Sequence, residues 1–483
     1  MQSTFKRGAT IMSKKIRYLV KLLHGTFSSP LTESLALKTR FKIRKGKLTP
    51  EMFVRLCVLY GKDLCESSLN RLHSRLFITE GISISPQALD QRFNVNAVAF
   101  LRELFETLIY QHNESSKINP LQQNMLFTKI KVVDGTDIQL PNNLAATYPG
   151  SGGSASKSAL KIQLEYELLQ GIFSVCQVNS GTTSDSAYLP YNEARIEKGE
   201  LHLKDLGYYK AAHFEKLDLE GAFYISKIKR STHIYKKNSN PEFKKDGTID
   251  KRTEYIKVDI QHLTQPLLEG QSVEFSDIYI GQVKLKARLI ITKLSAESKK
   301  SREKKDKKNI RKWNKIKMDY DKTWASINIY ITNIPQQMVD AVHTHLLYTL
   351  RWQVENIFKV WKSTFKIDAV KKVKLERFQC FLYGRLIELV LAASVVSVSK
   401  AIAMLKGMKP LSEKKIFDIT KEFLEHLTGI NYKNKKALSK FLTGLIQVIL
   451  RRGGKSEKKG HTSYADIFKF LGYDPEIGGD LAI

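Results

Sequence analysis

The chain has 483 residues, 42% of them hydrophobic and 26% charged, which suits two to four folded domains with a sizeable core and excludes a disordered or fibrous polypeptide. Its 79 Lys and Arg against 48 Asp and Glu leave a formal charge of +31, so a polyanionic partner is expected; nucleic acid, whose phosphates release counterions when neutralised, ranks ahead of an anionic membrane surface. Four cysteines without metal-ligand spacing exclude a disulfide framework and read as buried thiols of a reducing cytoplasm.

The N-terminus is basic, has no acid before Glu33 and lacks the apolar core of a secretory signal; it reads as a phosphate-binding arm or a first helix, ahead of an organellar transit peptide. Residues 45–115 carry a helical period. Thr49 is placed to cap a helix that has Pro50 at its first position, SSLNRLHSRL gives a second helix, and Ser85-Pro86 open a third. Two short helices around a turn at Gly81 predict a helix-turn-helix-like DNA reader with Gln87, Gln91 and Arg92 on the recognition helix; the alternative is an ordinary helical subdomain.

The texture changes at residue 127. FTKIKVVDGTDIQLP reads as a strand with Asp134 at its end, and LKIQLEYELL and IFSVCQVNSG as two more, joined by Gln170-Gly171. A helix over Ser186 to Glu200, the strand LHLKDLGYY carrying Asp205, a helix through Leu217 and the strand AFYISKIK follow. A three-strand meander and then alternating helices and strands is the order of an RNase H-like mixed sheet.

From about 230 to 335 the helical period disappears, and EYIKVDIQHL, SVEFSDIYIG and VKLKARLIITKL predict an all-β insertion. The block Lys299 to Lys317, with 11 basic and 2 acidic side chains, is either a solvated loop or a track for a DNA backbone. In TWASINIYITN, alternation puts Ala325, Ile327, Ile329 and Ile331 on one strand face and Trp324 on the polar one, where it stacks on an unpaired base or packs against a loop. Residues 366–483 return to helical patterning. Their longest apolar stretch, Leu389 to Ser399, is too short to span a bilayer.

The stretch Tyr348 to Lys362, YTLRWQVENIFKVWK, holds the densest chemistry. On one continuous helix Tyr348, Arg351, Glu355 and Lys362 share a stripe about 60° wide, while Leu347, Leu350, Ile357, Phe358, Trp361 and Phe365 fall mainly on the other side. The bland alternative is a salt-bridged surface, Arg351 and Glu355 being an i, i+4 pair. The spacing Y-x2-R-x3-E-x6-K resembles the YREK signature of a group of bacterial insertion-sequence transposases.

That resemblance implies an Asp-Asp-Glu metal triad on an RNase H-like fold, with Glu355 as its last member. The settings of Asp134 in VVDGTD and Asp205 in KDLGYY resemble those of the two aspartates, Asp137 being a competing candidate for the first. Asp134, Asp205 and Glu355 would hold two Mg²⁺ ions, with Mn²⁺ as substitute, for in-line attack on a phosphodiester. Tyr348, Arg351 and Lys362 would position the element-end strand, and Trp324 would serve as some relatives use a Trp of their β insertion. Terminal inverted repeats and target DNA are the implied duplex partners, with a homodimer in the synaptic complex, no membrane, and a cytoplasmic, nucleoid-associated location.

The expected architecture is α/β: a helical DNA-binding domain over 1–120, an RNase H-like core over 121–230 and 336–380 interrupted by the all-β insertion at 231–335, and a helical C-terminal region over 381–483 as dimer surface. The activity is cut-and-paste transposition by two-metal hydrolysis and 3′-hydroxyl strand transfer. The rivals are an RNase H-like nuclease without strand transfer, a non-catalytic transposase-derived DNA-binding protein, and a basic RNA-binding scaffold. Scattered histidines such as His202, His343 and His345 do not make a zinc site.

Overall fold

The computed structural model describes residues 2–28, 30–44, 46–116, 125–152, 156–188, 195–229, 231–313, 322–427, 432, 434–456 and 464–472. Seven helices open the chain: α1 (Gln2–Ser28), α2 (Pro30–Lys38), α3 (Pro50–Leu59), α4 (Gly61–Glu66), α5 (Leu69–Glu80), α6 (Pro86–Arg92) and α7 (Val95–Ser116). Thr49, Ser68 and Ser85 accept from the backbone N–H three residues on, so each hydroxyl satisfies an otherwise orphaned helix donor. The strands β1 (Ile130–Gln139), β2 (Ala159–Glu167), β3 (Ile172–Ser180) and β4 (Leu201–Lys204) follow, then α8 (Ala211–Leu219) and β5 (Phe223–Lys227).

Next come β6 (Ile234–Lys237), β7 (Tyr255–Lys257), α9 (Ile260–Thr264), β8 (Ser272–Ile280), β9 (Leu285–Lys293), α10 (Ala296–Trp313), α11 (Lys322–Ala325) and β10 (Ile327–Thr332). The chain continues through α12 (Ala341–Thr349), α13 (Trp352–Ser363), α14 (Leu375–Leu405), α15 (Glu413–His426), α16 (Lys435–Arg452) and α17 (Tyr464–Phe470). It divides into two compact units, one of Met1–Leu126, Asp134–Thr183 and Trp352–Ile483, the other of Phe127–Val133 and Ser184–Arg351.

The first unit is built around α14. By length and composition this helix is apolar enough to cross a bilayer, yet its apolar window is entirely buried, packed by α1, α3, α4, α7, α15, α16 and β3. Its charges are paired inside the core: Arg385 with Glu388, Glu388 with Lys421 at 2.7 Å, and Lys400 with Glu413 at 2.8 Å. Pairing is what makes burying a charge tolerable. The N-terminal helices and the residues beyond 381 therefore belong to one body, and the face of α14 is not open as a meeting surface. In the same unit β2 and β3 form an antiparallel hairpin that turns at Gly171, whose φ of +75° suits a residue without a Cβ.

In the second unit the strand order is β1-β4-β5-β10-β9-β8-β6-β7. β1, β4 and β5 are parallel, and the strands after them pair antiparallel. A meander followed by parallel strands is the RNase H-like arrangement. The strands of 231–335 do not stand apart from it: β10 pairs with β5 and extends the same sheet, over a core that includes Tyr224, Ile278, Leu289, Ile291, Ile327, Ile329 and Ile331.

Several local expectations change. Asp134 sits within β1 and not at its end. Of Ser186–Glu200 only a short 3₁₀ turn, Asp185–Tyr188, is helical, with 189–194 outside the described residues. EYIKVDIQHL supplies only the short β7 before turning into α9. The basic block lies in α10, with 314–317 outside the described residues; its helical repeat is carried by charged residues, so apolar periodicity could not reveal it. Trp324 lies in α11 and packs, half-buried, against the sheet core.

Candidate active site

The signature stretch is two helices and not one. α12 ends at Thr349 and α13 begins at Trp352; between them Leu350 and Arg351 donate to the carbonyls three residues back, Leu347 and Tyr348, at 3.0 and 3.1 Å. That tighter turn departs from regular α-helical rotation, so the angles of one continuous helix do not apply across it. No Pro or Gly causes the break; tertiary contacts made by Tyr348 and Arg351 accompany it.

Those contacts converge on Asp205, within the second unit. Asp205 follows β4 directly and precedes the 3₁₀ turn Leu206–Tyr208. Tyr348 is buried, with its ring 4.8 Å from that of Tyr330, and its hydroxyl donates to the Lys204 carbonyl at 3.3 Å and reaches Asp205 Oδ1 at 3.5 Å. Burial first, and then the Asp205 charge, push the Tyr348 phenol well above its usual range, so it is a neutral hydrogen-bond donor. Arg351, also buried, places Nη1 at 3.7 Å from Asp205 Oδ2.

The first unit holds the other two carboxylates. Asp134 Oδ1 accepts from the Gly135 N–H at 2.8 Å. Asp137, the competing candidate, falls an odd number of residues further and so on the opposite face of β1; it is exposed, with Lys161 3.9 Å away. Glu355 is half-buried in the first turn of α13. Lys362, two turns along that helix, donates to the Asp137 carbonyl at 2.9 Å, which ties α13 to β1. The apolar residues expected on the inner side, Ile357, Phe358, Trp361 and Phe365, are buried.

Carboxylate oxygens are the hard donors that a divalent ion such as Mg²⁺ takes, and Asp134, Asp205 and Glu355 all keep part of their surface open, so the donor chemistry fits. Among the described residues no group of three or more carboxylate, imidazole or thiol side chains is drawn together as a metal cluster.

A family model described as a transposase DDE domain matches residues 126–391. The chain is 39% identical over 465 residues to the transposase for insertion sequence element IS1151 of Clostridium perfringens, covering 95% of this chain and 98% of that protein. The chain belongs to the DDE transposase family. The transposase is also 34% identical over 454 residues to that of IS231E from Bacillus thuringiensis subsp. finitimus, covering 94% of this chain and 95% of the relative. A piggyBac transposase synaptic complex with hairpin DNA aligns with 93% of this chain and 87% of its own, at 11% identity and a TM-score of 0.45. Membership of this family makes the chain a DNA-cleaving and strand-transferring enzyme that uses a divalent metal.

One residue of the transposase escaped the sequence reading. Lys227 ends β5; since Lys204 pairs with Ser226 on adjacent parallel strands, the next residues along, Asp205 and Lys227, are level. Its amine lies 5.5 Å from the Tyr348 ring centroid. Desolvation lowers its pKa, Asp205 opposes that, and Arg302 and Arg351 reinforce it. A cation closing a strand beside a strand-end aspartate was the signal that marked it.

In the transposase's α6, Gln87 and Gln91 are exposed and Arg92 is half-buried, lining a cavity of about 170 Å³ with Lys42 and Arg44. Cys57, Cys65 and Cys380 are buried free thiols and Cys176 is half-buried; burial pushes Cys65 and Cys176 up to about 12. The histidines have local partners: His202 bonds Glu200 at 3.1 Å, His343 bonds Asp340 at 2.8 Å and His345 bonds the Tyr330 hydroxyl at 2.8 Å.

Proposed function

We propose that this transposase moves an insertion sequence by cut-and-paste, cutting duplex DNA at the element's terminal inverted repeats and joining the exposed 3′-hydroxyl to target DNA. Asp134, Asp205 and Glu355 are the proposed ligands of two Mg²⁺ ions, replaceable by Mn²⁺. Such ions supply charge neutralisation at the scissile phosphate and activation of the attacking oxygen.

The observation that carries the residue assignment is the register of β1 and β4. Val132 of β1 pairs with Leu203 of β4; Asp134 lies further along β1, and Asp205 directly follows β4. Support for Glu355 comes from the Lys362–Asp137 hydrogen bond, which ties the helix carrying Glu355 to the strand carrying Asp134.

The other side chains bind and orient. Tyr348 donates a neutral hydroxyl hydrogen bond, Arg351 carries a fork suited to a phosphate, and Lys362 fixes α13 to β1; Lys227 adds a second cation beside Asp205. Gln87, Gln91 and Arg92 are proposed to touch DNA, and the transposase to pair its ends as a homodimer in the bacterial cytoplasm, at the nucleoid. Trp324 is not included, because its ring packs on the protein core.

The test incubates purified protein with Mg²⁺ or Mn²⁺ and the flanking repeats of its own element, then maps the cut positions. Cleavage at the repeat boundary is expected. A pre-cut 3′-hydroxyl end that never joins a second duplex would favour a nuclease without strand transfer.

A further inference from the structure

The first unit contains a cavity that neither the carboxylates nor the signature residues occupy. It has a volume of about 460 Å³ and lies between one flank of α13 and the start of α15, with the chain at Lys455 on its third side. Lys359, Lys414 and Lys455 bring three amines to its lining, Gln353 and Asn356 two amides, and Ser412 a hydroxyl. Around α13 the lining residues centre about a third of a turn from Glu355.

The charge on this lining is one-sided. Its single carboxylate, Glu413, is held by the Lys400 amine at 2.8 Å and also attracts Lys455, whose amine donates to Gln353 Oε1 at 3.4 Å, so one acid of the wall faces several cations. Ser412 stands at the N-cap of the 14-residue α15, and its side chain makes no capping hydrogen bond; this helix end adds a favourable dipole for an anion. Lys455 is not a loose surface residue. The Ser412 N–H donates to the Gly453 carbonyl at 2.8 Å and the Lys455 N–H to the Pro410 carbonyl at 3.1 Å, so the backbone holds Lys455 against α15. Arg451 and Arg452, exposed at the end of α16, continue the basic surface along the chain.

Three amines, amide and hydroxyl donors and a helix N-terminus around one cavity suit a phosphate and its neighbouring sugar. We propose that this cavity is a second DNA-backbone site, in which Lys359, Lys414 and Lys455 grip a phosphate of the duplex that runs past the carboxylate centre. The site rests on the reading of the chain as a transposase that cuts DNA. It adds affinity without sequence preference, because a phosphate carries no base information.

The experiment measures binding of the full-length protein to a fluorescent mixed-sequence duplex over a range of salt concentrations. Relative to wild type, Lys414→Ala is expected to reduce the slope of log affinity against log salt by about 1, and the double variant K414A/K455A by about 2. Lys414 is exposed, so its single variant keeps the fold and carries the test even if the double variant melts early. An unchanged slope in K414A overturns the site. So does saturable binding of inorganic phosphate that depends on Lys414 while the duplex slope does not, which marks a free-phosphate site. In parallel, wild type is tested for Mg²⁺-dependent cutting of its own element end: no cutting sinks the transposase reading, whereas cutting with an unchanged slope sinks the cavity alone.

Discussion

Arg351 Nη1 stands 3.7 Å from Asp205 Oδ2, the guanidinium side chain 7% exposed and the carboxylate 40% exposed. The pair is asymmetric: the cation is committed to the protein, and the anion still faces solvent. Arg351→Ala is expected to lower stability by about 1–3 kcal/mol, through lost packing and hydrogen bonding, and to reduce DNA cutting further than that loss explains. Arg351→Lys restores charge without the planar fork, so it should recover melting temperature better than cutting. Equal recovery of both would count against a positioning role.

Glu355→Gln and Asp205→Asn keep size and hydrogen-bonding capacity while removing one negative charge. Single-turnover cutting is expected to fall by about three orders of magnitude, corresponding to roughly 4 kcal/mol, with duplex affinity held within about threefold. Normal cutting by either variant would remove that residue from the proposed metal site.

Gly384 lies on α14, where an added Cβ would stand 2.1 Å from the Cys57 carbonyl oxygen. Backbone cannot swing aside as a flexible side chain can, so Gly384→Ala forces α3 and α14 apart at an expected cost of about 1–3 kcal/mol. A thermal melt reads it directly. An unchanged melting temperature would mean that the two helices tolerate a wider separation.

Three buried histidines set an acid limit. Desolvation lowers His112 and His202 to about 3 and His213 to about 2, so all three are neutral in the folded protein while the unfolded chain protonates near 6.5. Their contribution is present above about pH 6.5 and drains as pH falls towards 3, by up to about 1.4 kcal/mol per pH unit for each. Glu200 adds a second window. Desolvation raises its pKa, but His202 and Lys131 outweigh that and bring it to about 2, so stability is also lost between about pH 4.5 and 2. Melting temperatures that stay flat from pH 7 to pH 5 would contradict this.

The sheet was legible because strand alternation and the Gln170-Gly171 turn are local signals, and β2, β3, β5, β8 and β9 fall on the stretches expected from them. The caps at Thr49 and Ser85 were legible for the same reason. The break at Leu350–Arg351 was not, since the sequence there lacks a helix breaker and the competing contacts of Tyr348 and Arg351 lie more than 140 residues away in the chain. Lys227 was missed likewise, as its significance depends on which strand lies beside it. Trp324 shows the opposite error: alternation is real from Ile327 onward, but extending it three residues upstream carried it into a helix.

The burial of α14 among α1, α3, α4 and α7 has a consequence for biosynthesis. A ribosome that has finished α7 must add roughly 250 residues before the central helix emerges, about 12–50 s at ordinary elongation rates. Throughout that interval the apolar sides of the early helices lack their eventual covering, so the nascent N-terminal quarter is a natural client for chaperones until the last quarter of the polypeptide arrives.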